Sequence, residues 1–329
     1  MYGACLKVAG LAGVAACALF SNAAADEAGV SFWLPGQYAA FAAQPGPPGL
    51  SFETTFYHAT ASAQRDATFE RDGHIQVGVK SPSDFLMLTP TYAFDTKILG
   101  GQPAFGITAL VGRNVTSVDA TLTGPSGSTL SGSQSDQVIG FGDLSPNATL
   151  KWSQGVHSFM IYATAGIPVG AYNAERLAAL GLGHWSVDGG GGYTYYDEKA
   201  GLEFSAVAGL TYNFINPYTQ YRSGNDFHLD LSFSPYVSEK MHIGAVGYFY
   251  DQISGDSGSG AVLGDFKSRV AGAGPQIGFF LPMGDREGYL NFRAYYEFAA
   301  EHRLEGWNMF ATLSIEAPQS RSSPLSARH

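Results

Sequence analysis

Asp226-Phe227-His228-Leu229-Asp230-Leu231-Ser232-Phe233-Ser234 changes character at every residue. Phe227, Leu229, Leu231 and Phe233 share one parity, and Asp226, His228, Asp230, Ser232 and Ser234 share the other. Successive side chains of a strand point to opposite faces, so this is a strand with one apolar and one polar, charged face. The pattern returns in 241–250 after the short turn Ser238-Glu239-Lys240, and again in 289–298, where Leu290, Phe292, Ala294, Tyr296 and Phe298 oppose Asn291, Arg293 and Glu297. A soluble sandwich that buries the apolar faces and a membrane barrel with a wet lumen both meet this description.

Connections decide between them. The alternation predicts twelve strands, over 50–60, 84–94, 103–116, 137–152, 156–172, 184–197, 201–215, 224–237, 241–251, 265–282, 288–298 and 306–316. Short links (Ser153-Gln154-Gly155, Glu198-Lys199-Ala200, Ser238-Glu239-Lys240, Met283-Gly284-Asp285-Arg286) alternate with long ones at 61–83, 117–136, 173–183 and 252–264. Segregated loop lengths and an even strand number mark an outer-membrane barrel, whose closure also removes exposed sheet edges. The expected fold is therefore all-β: a twelve-stranded transmembrane antiparallel barrel over 50–317, with both termini periplasmic and a tail at 318–329. In the tenth strand Lys267 and Arg269 share a parity with Ile277 and Phe279, which predicts a face-resetting bulge around Gly272-Ala273-Gly274-Pro275. Gly189-Gly190-Gly191-Gly192 lies inside a strand and permits either a sharp bend or space in the wall.

Composition agrees with a strand-rich, ordered chain: 45% hydrophobic, 14% charged, 42 glycines and abundant Tyr and Phe. No stretch after the leader is long and apolar enough for a membrane helix. Residues 1–25 read as a secretory signal, with Lys7, an apolar run from Val8 to Phe20, and Ala23-Ala24-Ala25 before Asp26. Cys5 and Cys17 both fall in this leader, so cleavage after Ala25 leaves a chain without cysteine; the alternative is that Val14-Ala15-Ala16-Cys17 is a lipoprotein box that keeps Cys17 as a lipid anchor. Losing Lys7 takes the formal charge from −10 to −11, an acidity that argues against nucleic-acid binding.

Residues 26–49 carry Phe32-Trp33-Leu34-Pro35-Gly36 and Pro45-Gly46-Pro47-Pro48 without sustained alternation. This irregular segment docks in the barrel lumen as a plug, through Phe32, Trp33, Leu34 and Tyr38, or else remains a periplasmic tail. The charged residues assigned to the polar faces, and hence to the permeation path, are Glu203, Asp226, His228, Asp230, Lys267, Arg269, Arg293 and Glu297.

Several stretches resemble one bacterial family: Trp33-Leu34-Pro35-Gly36-Gln37-Tyr38, Gly142-Asp143-Leu144-Ser145-Pro146, Tyr218-Thr219-Gln220-Tyr221-Arg222-Ser223-Gly224-Asn225-Asp226-Phe227-His228, and Gly255 to Gly260 followed by Gly264-Asp265-Phe266-Lys267-Ser268-Arg269. They are similar to the proteins labelled "putative meta-pathway of phenol degradation", regarded as transporter-like outer-membrane barrels. The resemblance covers nearly the whole mature chain. It implies a barrel in outer-membrane lipid and uptake of hydrophobic or aromatic small molecules; it supplies no catalytic residues and no cofactor.

Two other functions compete: a general small-solute porin and a lipase-like barrel enzyme. Tyr218-Thr219-Gln220 and His228 invite comparison with outer-membrane phospholipases, but His228 is followed by Leu229-Asp230-Leu231 and not by Ser-Asn-Gly, so the nucleophile is missing. His228 with Asp226 and Asp230 has the makings of a metal site, yet residues two apart on one strand face form a polar stripe by default. Asp251, Asp256 and Asp265 do not match the spacing of an EF-hand and read as solvated loop acids. No metal site is assigned.

Overall fold

The structure is a computed structural model that describes residues 31–69, 73–123, 128–262 and 264–318. The leader at 1–25, with Cys5 and Cys17, and all but the first residue of the tail lie outside the described residues.

Among the described residues thirteen strands make one sheet: β1 (Gly49–Phe69), β2 (Gly73–Lys80), β3 (Ser83–Ala93), β4 (Gln102–Thr123), β5 (Thr129–Gln154), β6 (His157–Gly166), β7 (Ser186–Asp197), β8 (Leu202–Asn213), β9 (Asp226–Ser238), β10 (Met241–Gln252), β11 (Arg269–Met283), β12 (Arg286–Glu301) and β13 (Glu305–Ile315). Each pairs antiparallel with its neighbour, and β13 returns to β1 from Phe52↔Ile315 to Ser62↔Glu305, which closes the barrel. Closure satisfies every stave's backbone within the sheet, as hydrocarbon surroundings demand.

Twelve staves form the wall, because β2 and β3 are one stave interrupted at Ser81-Pro82. Their register against β1 continues unbroken, Ser62↔Lys80 on one side of the interruption and Ala59↔Ser83 on the other. Pro82 has no N–H to donate, but its carbonyl accepts the Val115 amide and Ser81 donates to Ala61, so the ladder carries across the gap. Segments expected as loops at 61–83 and 117–136 are instead largely ladder. There β1, β2, β4 and β5 run on past the rest of the barrel as two joined hairpins. In β5 the upper part Ser131-Gly132-Ser133-Gln134-Ser135 hides the strand signal because both faces there are polar, whereas Ile75, Val77 and Val79 of β2 and Val118, Ala120 and Leu122 of β4 alternate with polar residues or glycine.

Alternation sorts the wall into two faces. Outward stand Phe52, Leu88, Phe159, Ile161, Phe233, Phe292 and their like; inward and buried stand Glu203, Ser205, Asp226, His228, Asp230, Ser232, Gln276, Asn291 and Arg293. Aromatic side chains mark both ends of the outward band. Trp185, Tyr212, Tyr296 and Trp307 lie toward the long loops, and Tyr92, Phe94 and Trp152 toward the short turns.

The expected bulge at Gly272 to Pro275 is absent. β11 keeps one register against β10 from Met241↔Phe279 to Asp251↔Arg269, and the sole shift against β12 falls between Arg269 and Ala271, beside Ala299 with its φ of 56°. No reset is needed, because Ser268 and Val270 face inward while Arg269 stays on the outward parity at the top of the wall. A bulge does occur in β5, where Gly142 and Asp143 together oppose Leu110 between the pairs Val111↔Phe141 and Ala109↔Leu144. The four-glycine run makes no bulge: β7 keeps constant register with both β6 and β8. Instead it makes space, since a Cβ on Gly190 would collide with the Ala208 carbonyl and crowd the Tyr162 hydroxyl.

Candidate functional site

The inward face of β5 to β13 is a belt of linked polar side chains. Asn213 donates to Asp226 (3.0 Å), Thr211 to Asp188 (2.5 Å), and Asp188 meets His228 Nε2 at 2.9 Å. Glu203 accepts from Ser205 and Ser232, Gln276 donates to Ser232 and Ser234, and Asn291 reaches Gln276. Arg293 donates to Asn291 and Thr312 (3.1 and 3.2 Å) and lies over the Phe310 ring, 4.3 Å from its centroid. Buried polar groups need such partners, since each left alone costs a few kcal/mol, of order 1–3.

Against this belt lies the backbone of 31–48. The Gly36 and Tyr38 amides donate to the two oxygens of Asp230 (2.9 and 3.1 Å), the Phe41 amide to Glu203 Oε1 (3.1 Å), and the Ala43 amide to Thr194 Oγ1 (3.0 Å). Cations take the carbonyls. Arg293 donates to Gly36 O (3.1 Å) and Gln37 O (3.0 Å), Tyr295 also donates to Gly36 O, and Lys151 donates to Ala42 O (2.8 Å) and Gln44 O (3.2 Å). Gly36, at φ 82°, packs so closely on the Tyr295 ring that a Cβ there would overlap it.

Side chains of the same stretch fill the space between. Trp33, 1% exposed, stacks on the His228 imidazole with centroids 3.5 Å apart, and Tyr38 stacks on Trp33 at 5.7 Å. Leu34 packs against the cluster of Tyr57, Tyr248, Tyr250, Tyr295 and Phe310, and Phe32 abuts Gly166. Ser31 accepts from Arg303, in the turn between β12 and β13, whereas Gln44 meets Lys151 near the opposite end of the wall. The segment thus runs from the long-loop end to the short-turn end, where β1 begins. β13 ends on the short-turn side and Ser31 sits on the other; the residues before Ser31 and after Pro318 lie outside those described.

Of the eight charged residues assigned to the polar faces, Glu203, Asp226, His228, Asp230 and Arg293 are buried inside the wall. Glu297 shares their parity near the long-loop end, accepting from the Tyr248 hydroxyl (2.7 Å) and the Gly306 amide (2.9 Å). Lys267 and Arg269 depart from the expectation. Lys267 is exposed in the loop before β11 and donates to Ile253 O, and Arg269 pairs with Asp251 (3.1 Å) and Glu301 (3.6 Å) on the outward parity. Lys151, Asp188, Tyr162 and Thr194 belong to the inner belt and were missed. For Lys151 the signal existed, since it alternates against Leu150 and Trp152; for Asp188 and Thr194 the glycine run between them blanked the alternation.

The family-like stretches have structural roles at the long-loop end. Asp143, in the β5 bulge, accepts the Gly170 and Leu182 amides (both 2.8 Å) and so ties down the loop between β6 and β7. Arg222 pairs with Ser257, and the Gly260 amide donates to Gln220 O, which joins the β8–β9 and β10–β11 loops. Asp256 accepts from the Tyr221 hydroxyl, the Gly224 amide and Gln252, so it is a loop fastener. His228 addresses Asp188 and Tyr162, not a serine hydroxyl. Among the described residues no group of three His, Cys, Asp or Glu could hold a metal ion.

Among solved structures the chain is similar to an outer membrane channel from Pseudomonas putida F1, at 15% identity and a TM-score of 0.56, covering 86% of this chain and 98% of that one. A FadL homologue from Pseudomonas aeruginosa (7% identity, TM-score 0.40, 81% and 89% covered) and the CymD monoaromatic hydrocarbon channel (6%, 0.35, 84% and 90%) are more distant. No curated protein matches the chain. The closed twelve-stave wall with its outward apolar band has the β-barrel fold of the Pseudomonas putida outer membrane channel. The chain belongs to the family described as "Putative MetA-pathway of phenol degradation", which it matches over residues 65–313.

Proposed function

We propose that this barrel is a gated, non-enzymatic channel that admits hydrophobic or aromatic compounds across the outer membrane, and that residues 31–48 are its gate. The observation that carries the reading is the grip on that segment. Its amides meet Asp230, Glu203 and Thr194, and its carbonyls meet Arg293, Tyr295 and Lys151, so one stretch of backbone is held by five staves between β5 and β12. A segment so held obstructs small ions, while its rings and those of the wall (Trp33, Tyr38, Tyr162, Tyr289, Tyr295) offer an apolar solute a surface that water does not. The fold of the Pseudomonas putida channel agrees with a channel, and the family's link to phenol degradation agrees with that solute class.

Deletion of 31–48 tests the gate. In a planar bilayer the shortened barrel is expected to conduct severalfold more than the full chain, and cells carrying it to lose their advantage in taking up an apolar solute such as toluene over a polar one of equal size. Unchanged conductance in a correctly inserted barrel would reject the gate, and equal uptake of both solutes by the full chain would reject the apolar channel.

A further inference from the structure

Phe41 stands apart from the other rings of the segment. Its backbone is left-handed, with φ 65°, a conformation that a non-glycine residue holds only when its surroundings insist. What surrounds it is aromatic on four sides. The ring meets Tyr196 (5.3 Å between centroids, 87° between planes), His242 (5.6 Å, 84°), Phe280 (5.6 Å, 66°) and Tyr289 (5.5 Å, 87°), each edge to face. These are the separations and tilts at which aromatic quadrupoles attract. The four come from the short-turn ends of β7, β10, β11 and β12, with Tyr236 of β9 stacked behind Phe280 at 6.0 Å. A Cβ at Gly278 would collide with the His242 imidazole, so that glycine is what lets His242 turn inward.

One polar group in this cage is unused. His242 is fully buried; its Nε2 meets the Tyr289 hydroxyl at 2.8 Å, but its Nδ1 has no hydrogen-bond partner. Phenylalanine has nothing to offer that nitrogen. A ring of the same size bearing a hydroxyl does.

We propose that the cage of Tyr196, His242, Phe280 and Tyr289 is a binding site for a hydroxylated single-ring aromatic solute, and that Phe41 holds that solute's place in the closed barrel. The ring of an arriving phenol takes the same four edge-to-face contacts, its hydroxyl pairs with His242 Nδ1, and the displaced Phe41 backbone relaxes from its left-handed turn. The inference rests on the channel reading above, to which it adds a solute class and a site at the exit end of the bore.

The test uses 4-fluorophenol and the full-length barrel in lipid nanodiscs, read by 19F NMR, where an aromatic cage gives a ring-current shift that solution in lipid does not. Phe41→Gly empties the cage and accommodates the positive φ; Phe41→Ala empties it without doing so. Both are expected to bind 4-fluorophenol at least tenfold tighter than the wild type, with the bound signal displaced by phenol at a concentration at least tenfold below that needed for cyclohexanol. Adding His242→Phe to Phe41→Gly should remove the preference for phenol over toluene, and adding Phe280→Leu should abolish the shifted signal. The proposal is overturned by no shifted signal in a Phe41→Gly barrel that still migrates as a folded, heat-modifiable band, by displacement with cyclohexanol as readily as with phenol, or by a signal indifferent to Phe280→Leu. Because binding is read without transport, each of these can occur while deletion of 31–48 still changes conductance, so the cage can fail and the channel stand.

Discussion

Asp230 of β9 and Arg293 of β12 together grip the peptide groups around Gly36, the acid taking amides and the guanidinium taking carbonyls. Each hydrogen bond to a charged group contributes about 1.5–3 kcal/mol. Asp230→Asn keeps the shape and removes the charge, so the open fraction of single-channel recordings is expected to rise roughly tenfold, the equivalent of about 1.4 kcal/mol. Arg293→Ala should open the barrel to a similar degree, and Arg293→Lys should not restore closure, because an ammonium lacks the fork that reaches both carbonyls and lies over Phe310. An open fraction unmoved by either substitution would mean that these contacts do not hold the segment. The faces of Glu203, Asp226, His228, Asp230 and Arg293 were legible from alternation alone. Lys267 and Arg269 were misplaced because the count was carried back from Ile277 and Phe279 through a bulge that the ladder does not contain.

At the scale of elements, the bulge in β5 and the loop it fastens are coupled. Asp143→Ala removes the acceptor of the Gly170 and Leu182 amides, and hydrogen exchange at both should quicken at least tenfold while the ladder amides of β7 stay protected. Equal exchange in mutant and wild type would place the fastening elsewhere. Higher up, on the polar extension of β5 beyond the apolar band, Asp136 receives Arg176 Nη2 at 2.6 Å and the Ala178 amide at 3.2 Å. The Arg176 hydrogen bond holds its carboxyl well below the usual carboxylate range. A depressed pKa stabilises the docked loop at pH above the ordinary carboxylate value, and the contribution disappears only as pH falls through the lower, folded value. Protection of the Ala178 amide, corrected for intrinsic exchange, should therefore be the same at pH 5 as at pH 7, and be reduced at pH 7 by Asp136→Asn. The extension of β5 escaped the sequence because a stretch polar on both faces carries no period-two signal, whereas in β2 and β4 the alternation of Ile75, Val77 and Val79, and of Val118, Ala120 and Leu122, was present and was passed over.

For the whole molecule, closure between β1 and β13 leaves no open edge, and the wall's stability resides in a continuous ladder from Phe52↔Ile315 around to the starting strand. Unheated samples in mild detergent are expected to migrate on a gel as a compact band that shifts on boiling, and a monodisperse monomer without detergent would contradict the membrane barrel. The segregation of short and long connections was readable before any coordinates.

By itself the sequence determined the class of structure, the two faces of most strands and the family, because each of these follows from local period, composition and short motifs. Only the tertiary structure decided which inward residues meet. Asp230 and Gly36 lie 194 residues apart, and Arg293 reaches across 257. Alternation says which way a side chain points, but neither its height in the wall nor what stands on the opposite side of the bore. Those depend on closure and register, which are properties of the whole sheet, and they are what put four rings around Phe41.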